Sequence, residues 1–401
     1  MKKVKIAIVV ALTLSLNAFS QENVDVARQI AELKAEFQNK INALTAKLEA
    51  QEEKIDKKIS ESPTDGVKIA FSKGIERLKF KNDIRLRFER RHRYDDGRRD
   101  ERDRFRYRLR IGAEYKASDD LMFGVRLASG GGGETSTNES ANLDKDGIYI
   151  DKAYVKYTGL KNSTAIAGKM GNPFNKNKMI FDTDYTPEGI AYVYKQGIFK
   201  ATAGAFIFGS EDSHYGNDDP NSENEVMYGL QLQIKAMKNL KLGASYYHFN
   251  NEVEHASGGN QIGVDMHIAE LYADLKVNDN FSLYAKGIQN MALSGSEGSQ
   301  DSRVDPNDKN DLGYEAGLKF KKGKFKGGYT YRHLESDACW NALNDSDFGD
   351  NRKGHIITLA YKVNNNFSIG LTQFFTDEID TAAGNDERDE QLTQIDAKFK
   401  F

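Results

Sequence analysis

From Arg104 to Lys116 the chain alternates: Phe105, Tyr107, Leu109, Ile111, Ala113 and Tyr115 stand between Arg104, Arg106, Arg108, Arg110, Gly112, Glu114 and Lys116. An extended strand turns successive side chains to opposite faces, so this segment predicts a strand with an apolar face, aromatic at its ends, and a charged face. The pattern recurs. Val226, Tyr228, Leu230, Leu232 and Ile234 alternate with Met227, Gly229, Gln231, Gln233 and Lys235, and Leu312, Tyr314, Ala316, Leu318 and Phe320 with Gly313, Glu315, Gly317 and Lys319. Seven short polar turns are expected near 118–120, 159–162, 196–197, 237–239, 278–280, 322–323 and 364–366. Eight longer stretches rich in Gly, Ser, Asn and Asp fall near 94–103, 129–146, 171–186, 209–224, 251–264, 293–310, 336–352 and 379–389. Together these connections separate sixteen strands. The five prolines lie in a linker, in loops or at a strand start, as residues that cannot donate to a sheet ladder should.

Short turns at one end, long loops at the other and strands of about ten residues are the pattern of a transmembrane β-barrel. At roughly 3.3 Å per residue the run from Phe105 to Tyr115 extends about 33 Å, and a tilt of about 40° brings its height near the apolar band of such barrels. Closure suits lipid, where each unpaired backbone group costs several kcal/mol. At sixteen strands the interior is too wide for strand side chains to fill, so an aqueous channel is expected. The final strand places Thr393, Ile395, Ala397, Phe399 and Phe401 on one face. Apolar residues at alternate positions ending on Phe399 and Phe401 look like the insertion signal of bacterial outer-membrane proteins.

Before the strands the period differs. Val26, Ile30, Leu33, Phe37, Ile41, Leu44, Leu48 and Ile55 recur every three or four residues across a stretch without Gly or Pro. This is a coiled-coil seam with one stutter, too narrow to build a monomeric core, and it calls for identical partner helices. A solvated amphipathic helix lying on its own domain is the alternative. Ile6–Leu16, preceded by Lys2, Lys3 and Lys5 and followed by Ala18-Phe19-Ser20, reads as a secretory signal peptide. The expected order is therefore a signal peptide at 1–20, a coiled-coil helix at 22–60, a linker at 61–74 and a barrel at 75–401. The fold class is an all-β membrane protein, a 16-stranded antiparallel transmembrane β-barrel preceded by a short α-helical coiled coil.

Composition narrows the function. A mean hydropathy of −0.66 with 29% charged residues excludes a helical membrane bundle. One cysteine, Cys339, excludes an internal disulfide framework and a cysteine zinc site. The net charge of −3 becomes −6 once three lysines leave with the first 20 residues, which gives no reason to expect nucleic acid. The seven histidines lack HExxH spacing, Gly130–Gly133 lacks a following Lys-Ser/Thr, and no serine nucleophile elbow is present. No enzyme, cofactor or metal is expected. The acidic clusters Asp218-Asp219, Asp305–Asp311 and Asp345-Ser346-Asp347 lack calcium-loop spacing and read as solvated loops.

Arginine is distributed unevenly: of 19 in the chain, 12 lie between Arg85 and Arg110. If Ile84, Leu86 and Phe88 face lipid, then Arg85, Arg87, Arg104, Arg106, Arg108 and Arg110 face the lumen, followed by Arg126 on the third strand. Adjacent like charges repel, so such a wall needs carboxylates or anions opposite it. One reading is a pore wall that attracts anionic solutes. The other is a hairpin neutralised by Glu89, Glu101, Asp103 and Glu114. Arg98, Arg99 and Arg102, in the expected first loop, would meet lipopolysaccharide phosphate or solvent.

Gly168-Lys169-Met170-Gly171-Asn172-Pro173-Phe174 and Phe181-Asp182-Thr183-Asp184-Tyr185-Thr186-Pro187-Glu188-Gly189 resemble motifs of the "putative porin" family, 16-stranded outer-membrane proteins with an N-terminal coiled coil. The resemblance implies a homotrimer whose third loop folds into the barrel as a constriction. Asn172, Pro173, Phe174, Asp182, Asp184 and Glu188 would belong to that loop, with Asp182 and Asp184 near the eyelet and Glu188 at its edge, opposite the arginines. As turn-forming or capping residues, Asp182 and Asp184 have an equal alternative role. The expected partners are outer-membrane lipid and lipopolysaccharide, the barrel assembly machinery, and small hydrophilic or anionic solutes. Three functions stay open: a diffusion pore biased toward anions, an oxyanion-specific (phosphate-like) channel, and a structural or adhesive protein with a periplasmic stalk.

Overall fold

The computed structural model describes residues 75–95, 98–130, 136–140, 146–209, 225–250, 253–257, 260–264, 266–292, 304, 309–381 and 387–401, with six scattered positions between 35 and 50. The chain divides into two units, residues 1–75 and 76–401. In the first, Ala35, Asn39, Asn42, Ala43, Ala46 and Ala50 have helical backbone. None of them belongs to the apolar seam. The expected coiled-coil seam, the signal peptide and the linker lie outside the described residues.

The second unit is a closed antiparallel barrel. Its sixteen strands are β1 (Asp83–Asp95), β2 (Arg98–Lys116), β3 (Leu121–Ser129), β4 (Ile148–Tyr157), β5 (Ser163–Lys169), β6 (Glu188–Gln196), β7 (Phe199–Gly209), β8 (Glu225–Ile234), β9 (Leu240–Phe249), β10 (His267–Lys276), β11 (Phe281–Asn290), β12 (Leu312–Lys322), β13 (Phe325–Leu334), β14 (Arg352–Lys362), β15 (Phe367–Glu378) and β16 (Arg388–Lys400). Each pairs with its neighbours in sequence. β16 returns to β1 from Asp83↔Lys400 to Asp95↔Arg388, so none of these strands is left as an edge. Leu78–Phe80 continues β1 in the same register beyond Lys81-Asn82.

Alternation decides which side chain meets which medium. On β2, Phe105 is 68% exposed on the outer surface while Arg108 is 8% exposed on the inner one. Aromatic pairs bind neighbouring strands across the outer face: Phe88 and Phe105 have ring centroids 5.2 Å apart, and Phe367 and Phe399 stack at 4.6 Å.

Two connections depart from the sequence expectation. The first long loop, expected at 94–103, is a continuation of β1 and β2, with only Asp96-Gly97 between them. Arg98, Arg99 and Arg102 therefore stand on a strand. Asp-Gly is a strong two-residue hairpin turn, and complementary charges make the polar segment fit a ladder: Arg90 donates to both oxygens of Asp103 at 2.8 and 2.7 Å. The fifth long connection, expected as a polar loop at 251–264, contains a hairpin of Val253–Ser257 with Asn260–Val264.

The core lies inside the barrel. Loop 3 (170–187, between β5 and β6) and loop 7 (335–351, between β13 and β14) both turn inward. Met170, Phe174, Met179, Ile180, Phe181 and Tyr185 of loop 3 pack with Ala338, Cys339, Leu343 and Phe348 of loop 7 and with inward residues such as Phe206, Met227, Tyr247, Ile268 and Ile288. Phe174 meets Tyr247 edge-on at 5.1 Å and Phe206 at 5.9 Å. Gly229 makes room for it, since a Cβ there would come within 2.4 Å of the Phe174 ring. At the base of loop 3, Gly168 and Gly189 face each other across β5 and β6 with φ of 104° and 156°, a backbone that side-chain-bearing residues rarely adopt.

Candidate functional site

The inner faces of β16, β1 and β2 form a ladder of polar rows fixed by register. From the short-turn end these rows read Lys400–Asp83–Arg110, Lys398–Arg85–Arg108, Asp396–Arg87–Arg106, Gln394–Glu89–Arg104, Leu392–Arg91–Arg102 and Glu390–Arg93–Asp100. The like charges are balanced both along the rows and diagonally between them. Arg87 donates to Asp396 at 2.7 and 3.2 Å and reaches Asp347 at 3.4 Å. Arg104 donates to Glu89 at 2.9 Å, and Arg106 reaches the same carboxylate at 3.5 Å. Arg108 and Arg110 each meet Asp83 at 2.8 Å. Arg126, one strand further, pairs with Asp151. Arg85 forms no ion pair with any described carboxylate, and Asn138 accepts its hydrogen bond.

Loop 3 reaches this wall through Asp184. Its carboxylate lies 3.4 Å from Arg108 and 3.1 Å from Arg110 and accepts from the Thr137 hydroxyl at 3.0 Å. Burial would raise the Asp184 carboxyl, but Arg108, Arg110 and Arg85 hold it below the ordinary aspartate range. Loop 3 is latched to loop 7 by two backbone bonds, Asp182 N–H to the Leu343 carbonyl at 2.6 Å and Asp345 N–H to the Lys178 carbonyl at 3.0 Å. Beside this latch Asp345 takes Lys178 at 2.9 Å and Arg332 at 3.3 Å. Arg332 and Lys286 share Glu315, each at 2.9 Å. Burial opposes charge on Asp345, yet Lys178 and Arg332 keep its carboxyl below the usual range. Asp182 differs: burial, then the neighbouring Asp345 carboxylate, push its carboxyl up to about 7.

Between the two banks remains a cavity of about 560 Å³. Nine cationic side chains line it, among them Arg85, Arg87, Arg106 and Lys398 on the wall and Lys176, Lys178, Lys286, Lys319 and Arg332 opposite. Six carboxylates face them: Asp182, Asp184, Glu315, Asp345, Asp347 and Asp396. A second polar cavity of about 550 Å³ lies nearer the short turns, lined by Asp83, Arg110, Arg126 and Lys152. A larger concavity of about 880 Å³ is apolar and lies on the outer face of β4 to β9, away from this chemistry.

Of the residues singled out from sequence, Arg85, Arg87, Arg106, Asp182 and Asp184 share the constricted cavity. Arg104, Arg108 and Arg110 stand on the same wall, and Arg126 belongs to the lower cavity. Phe174 goes into the apolar core, and Asn172 caps the turn by accepting from the Phe174 N–H at 3.0 Å, with Pro173 between them. Glu188 opens β6 in the outward register of Ile190 and Tyr192 and lies 3.7 Å from Lys169, so it does not stand at the eyelet edge. Asp345 and Asp347, read as solvated, are drawn into the lumen. The signal that could have marked them is the apolar content of their loop, Trp340, Leu343 and Phe348, unusual in a stretch meant for solvent. Cys339 sits in the same core, where burial pushes its thiol up to about 12.

Residues 94–267 and 265–401 match the family described as "Putative porin". No curated protein sequence matches the chain. A Pseudomonas putida OprB structure determined at high pH is 12% identical, covering 82% of this chain and 96% of that one with a TM-score of 0.57. A Rhodopseudomonas blastica porin triple mutant is 13% identical, covering 81% and 100% with a TM-score of 0.48. The first of these likenesses shows the fold, and the family match spans more than half of the sequence. The chain therefore belongs to the "Putative porin" family, a multi-pass β-barrel of the outer membrane that forms a channel.

Proposed function

We propose that the channel passes small hydrophilic solutes by diffusion and favours anions. One observation carries the reading: the cavity between the arginine wall and the two inward loops is lined by nine cationic and six carboxylate side chains. A narrow, low-dielectric passage with surplus positive charge concentrates anions and repels cations. The preference is moderate, because most wall arginines spend their charge on Asp83, Glu89, Asp184 and Asp396. Residues 1–20 act in this reading as a signal for export, and the seam at 22–60 joins three copies beneath the membrane. Lipopolysaccharide and the assembly machinery are the partners that a bacterial outer-membrane barrel requires. The seam supports self-association, and the family resemblance supports three as the number of copies.

The test is planar-bilayer recording of the purified protein under a KCl gradient. Current should rise in three coupled steps, with a reversal potential of anion-selective sign. Replacing Arg106 and Arg108 together by Glu reverses two charges in the lumen, a net change of four units, and should move that potential toward cations. An unmoved potential would defeat the anion reading while leaving the channel intact.

A further inference from the structure

We propose that Arg85 is a saturable binding site for one small oxyanion, the phosphate or carboxylate group of a solute crossing the constriction. The proposal deepens the channel reading and rests on it. Arg85 occupies the middle of the one row that is cationic throughout, Lys398–Arg85–Arg108. Its neighbours are compensated: Lys398 meets Asp396 at 3.0 Å, and Arg108 meets Asp83 at 2.8 Å and Asp184 at 3.4 Å. Each of those carboxylates is already shared with a further cation, Asp396 with Arg87 and the other two with Arg110. Among the arginines lining the cavity, Arg85 alone has no described carboxylate at ion-pair distance, while Arg106 has one and Arg87 and Arg332 have two each.

The geometry suits a small anion. Arg85 is only 9% exposed, and its buried Nε has no hydrogen-bond partner among the described residues. A buried guanidinium without a counter-charge is costly, and an arriving anion removes that cost. Asn138 fixes the guanidinium by accepting from Nη2, and Ser136 brings a hydroxyl to the same lining. A guanidinium edge offers two parallel N–H groups that match two oxygens of a carboxylate or phosphate, whereas a monatomic anion cannot use the fork. The arginine wall thus offers one site for an anion, not a ladder of them.

The experiment uses the whole protein and inorganic phosphate. In planar bilayers bathed in KCl, added phosphate should reduce the chloride current along a saturating curve. The phosphorus NMR line of phosphate should broaden over the same concentrations when the detergent-solubilised barrel is present. R85Q should raise the half-saturating concentration about ten-fold in both measurements, the loss of one charge-assisted hydrogen bond. R85K, which keeps the charge and loses the fork, should fall between R85Q and the parent. R90Q removes an arginine from the outer face of the same strand and should leave half-saturation within about two-fold, as a screened surface pair does. Competition by acetate would extend the site to carboxylate-bearing solutes, and its absence would confine it to phosphate. A response that never saturates, or one equal in R85Q and the parent, overturns the site. Absence of current with Arg85-dependent line broadening would sink the channel reading and leave the binding site standing.

Discussion

Asp182 shows how much one side chain can depend on its surroundings. Burial, then the Asp345 carboxylate, raise its carboxyl to about 7, against Lys178 and the Asp184 N–H. A carboxyl raised in the folded state favours the protonated form, so its contribution to stability is present at low pH and lost as pH climbs through about 7. Lowering the pH from about 8 to about 6 therefore neutralises one lumen carboxylate and should increase anion selectivity. D182N should flatten that dependence in reversal-potential measurements, and an unchanged slope would show that another group titrates. The alternation of arginine with apolar residues gives the direction of the guanidinium groups of Arg85, Arg87, Arg104, Arg106, Arg108 and Arg110, but not that Arg98, Arg99 and Arg102 stand on the same strand. Their partners were not legible. Arg87 meets Asp396 across 309 residues, a meeting set by the closing register of β16 on β1. Asp345 and Asp347 escaped notice because nothing local says that a loop will turn inward.

Among the elements, the strands were legible and the loops less so. Period-two patterning defines each strand by its own residues, whereas loop 3 and loop 7 acquire structure from each other. Their latch is held by main-chain bonds at Asp182 and Asp345, and its apolar centre includes Leu343, 2% exposed. L343A should lower the stability of the inward loops by about 2–5 kcal/mol, the usual range for emptying a buried leucine site. The measurable outcome is a lower unfolding midpoint together with a larger, noisier conductance as loop 7 loosens. Unaltered stability would mean that the two loops do not pack as one body. The hairpin of β1 and β2 was mistaken for a loop because its tip is almost wholly charged. The register that pairs Asp95 with Arg98 and the Arg90–Asp103 ion pair tie it into a hairpin.

At the scale of the whole molecule, closure ties the inner core to the barrel wall. Trp340 is the single tryptophan, and it packs against Phe208 at 5.3 Å and Phe249 at 6.1 Å inside the lumen. Its fluorescence therefore reports on the core, while far-ultraviolet circular dichroism reports on the strands. On heating in detergent the two signals should change at one midpoint, as a single cooperative unit requires. An earlier red shift of the tryptophan emission would reveal a plug that melts inside an intact barrel.

Because one side of this tube is solid, its aperture cannot be widened by trimming a rim. Any substitution that enlarges the slot beside the guanidinium bank must also hollow out the packing that keeps the opposite half in place. Permeability and robustness are thus coupled through the same residues. Variants selected for bulkier cargo should carry a thermal handicap, unless they compensate elsewhere in the fold.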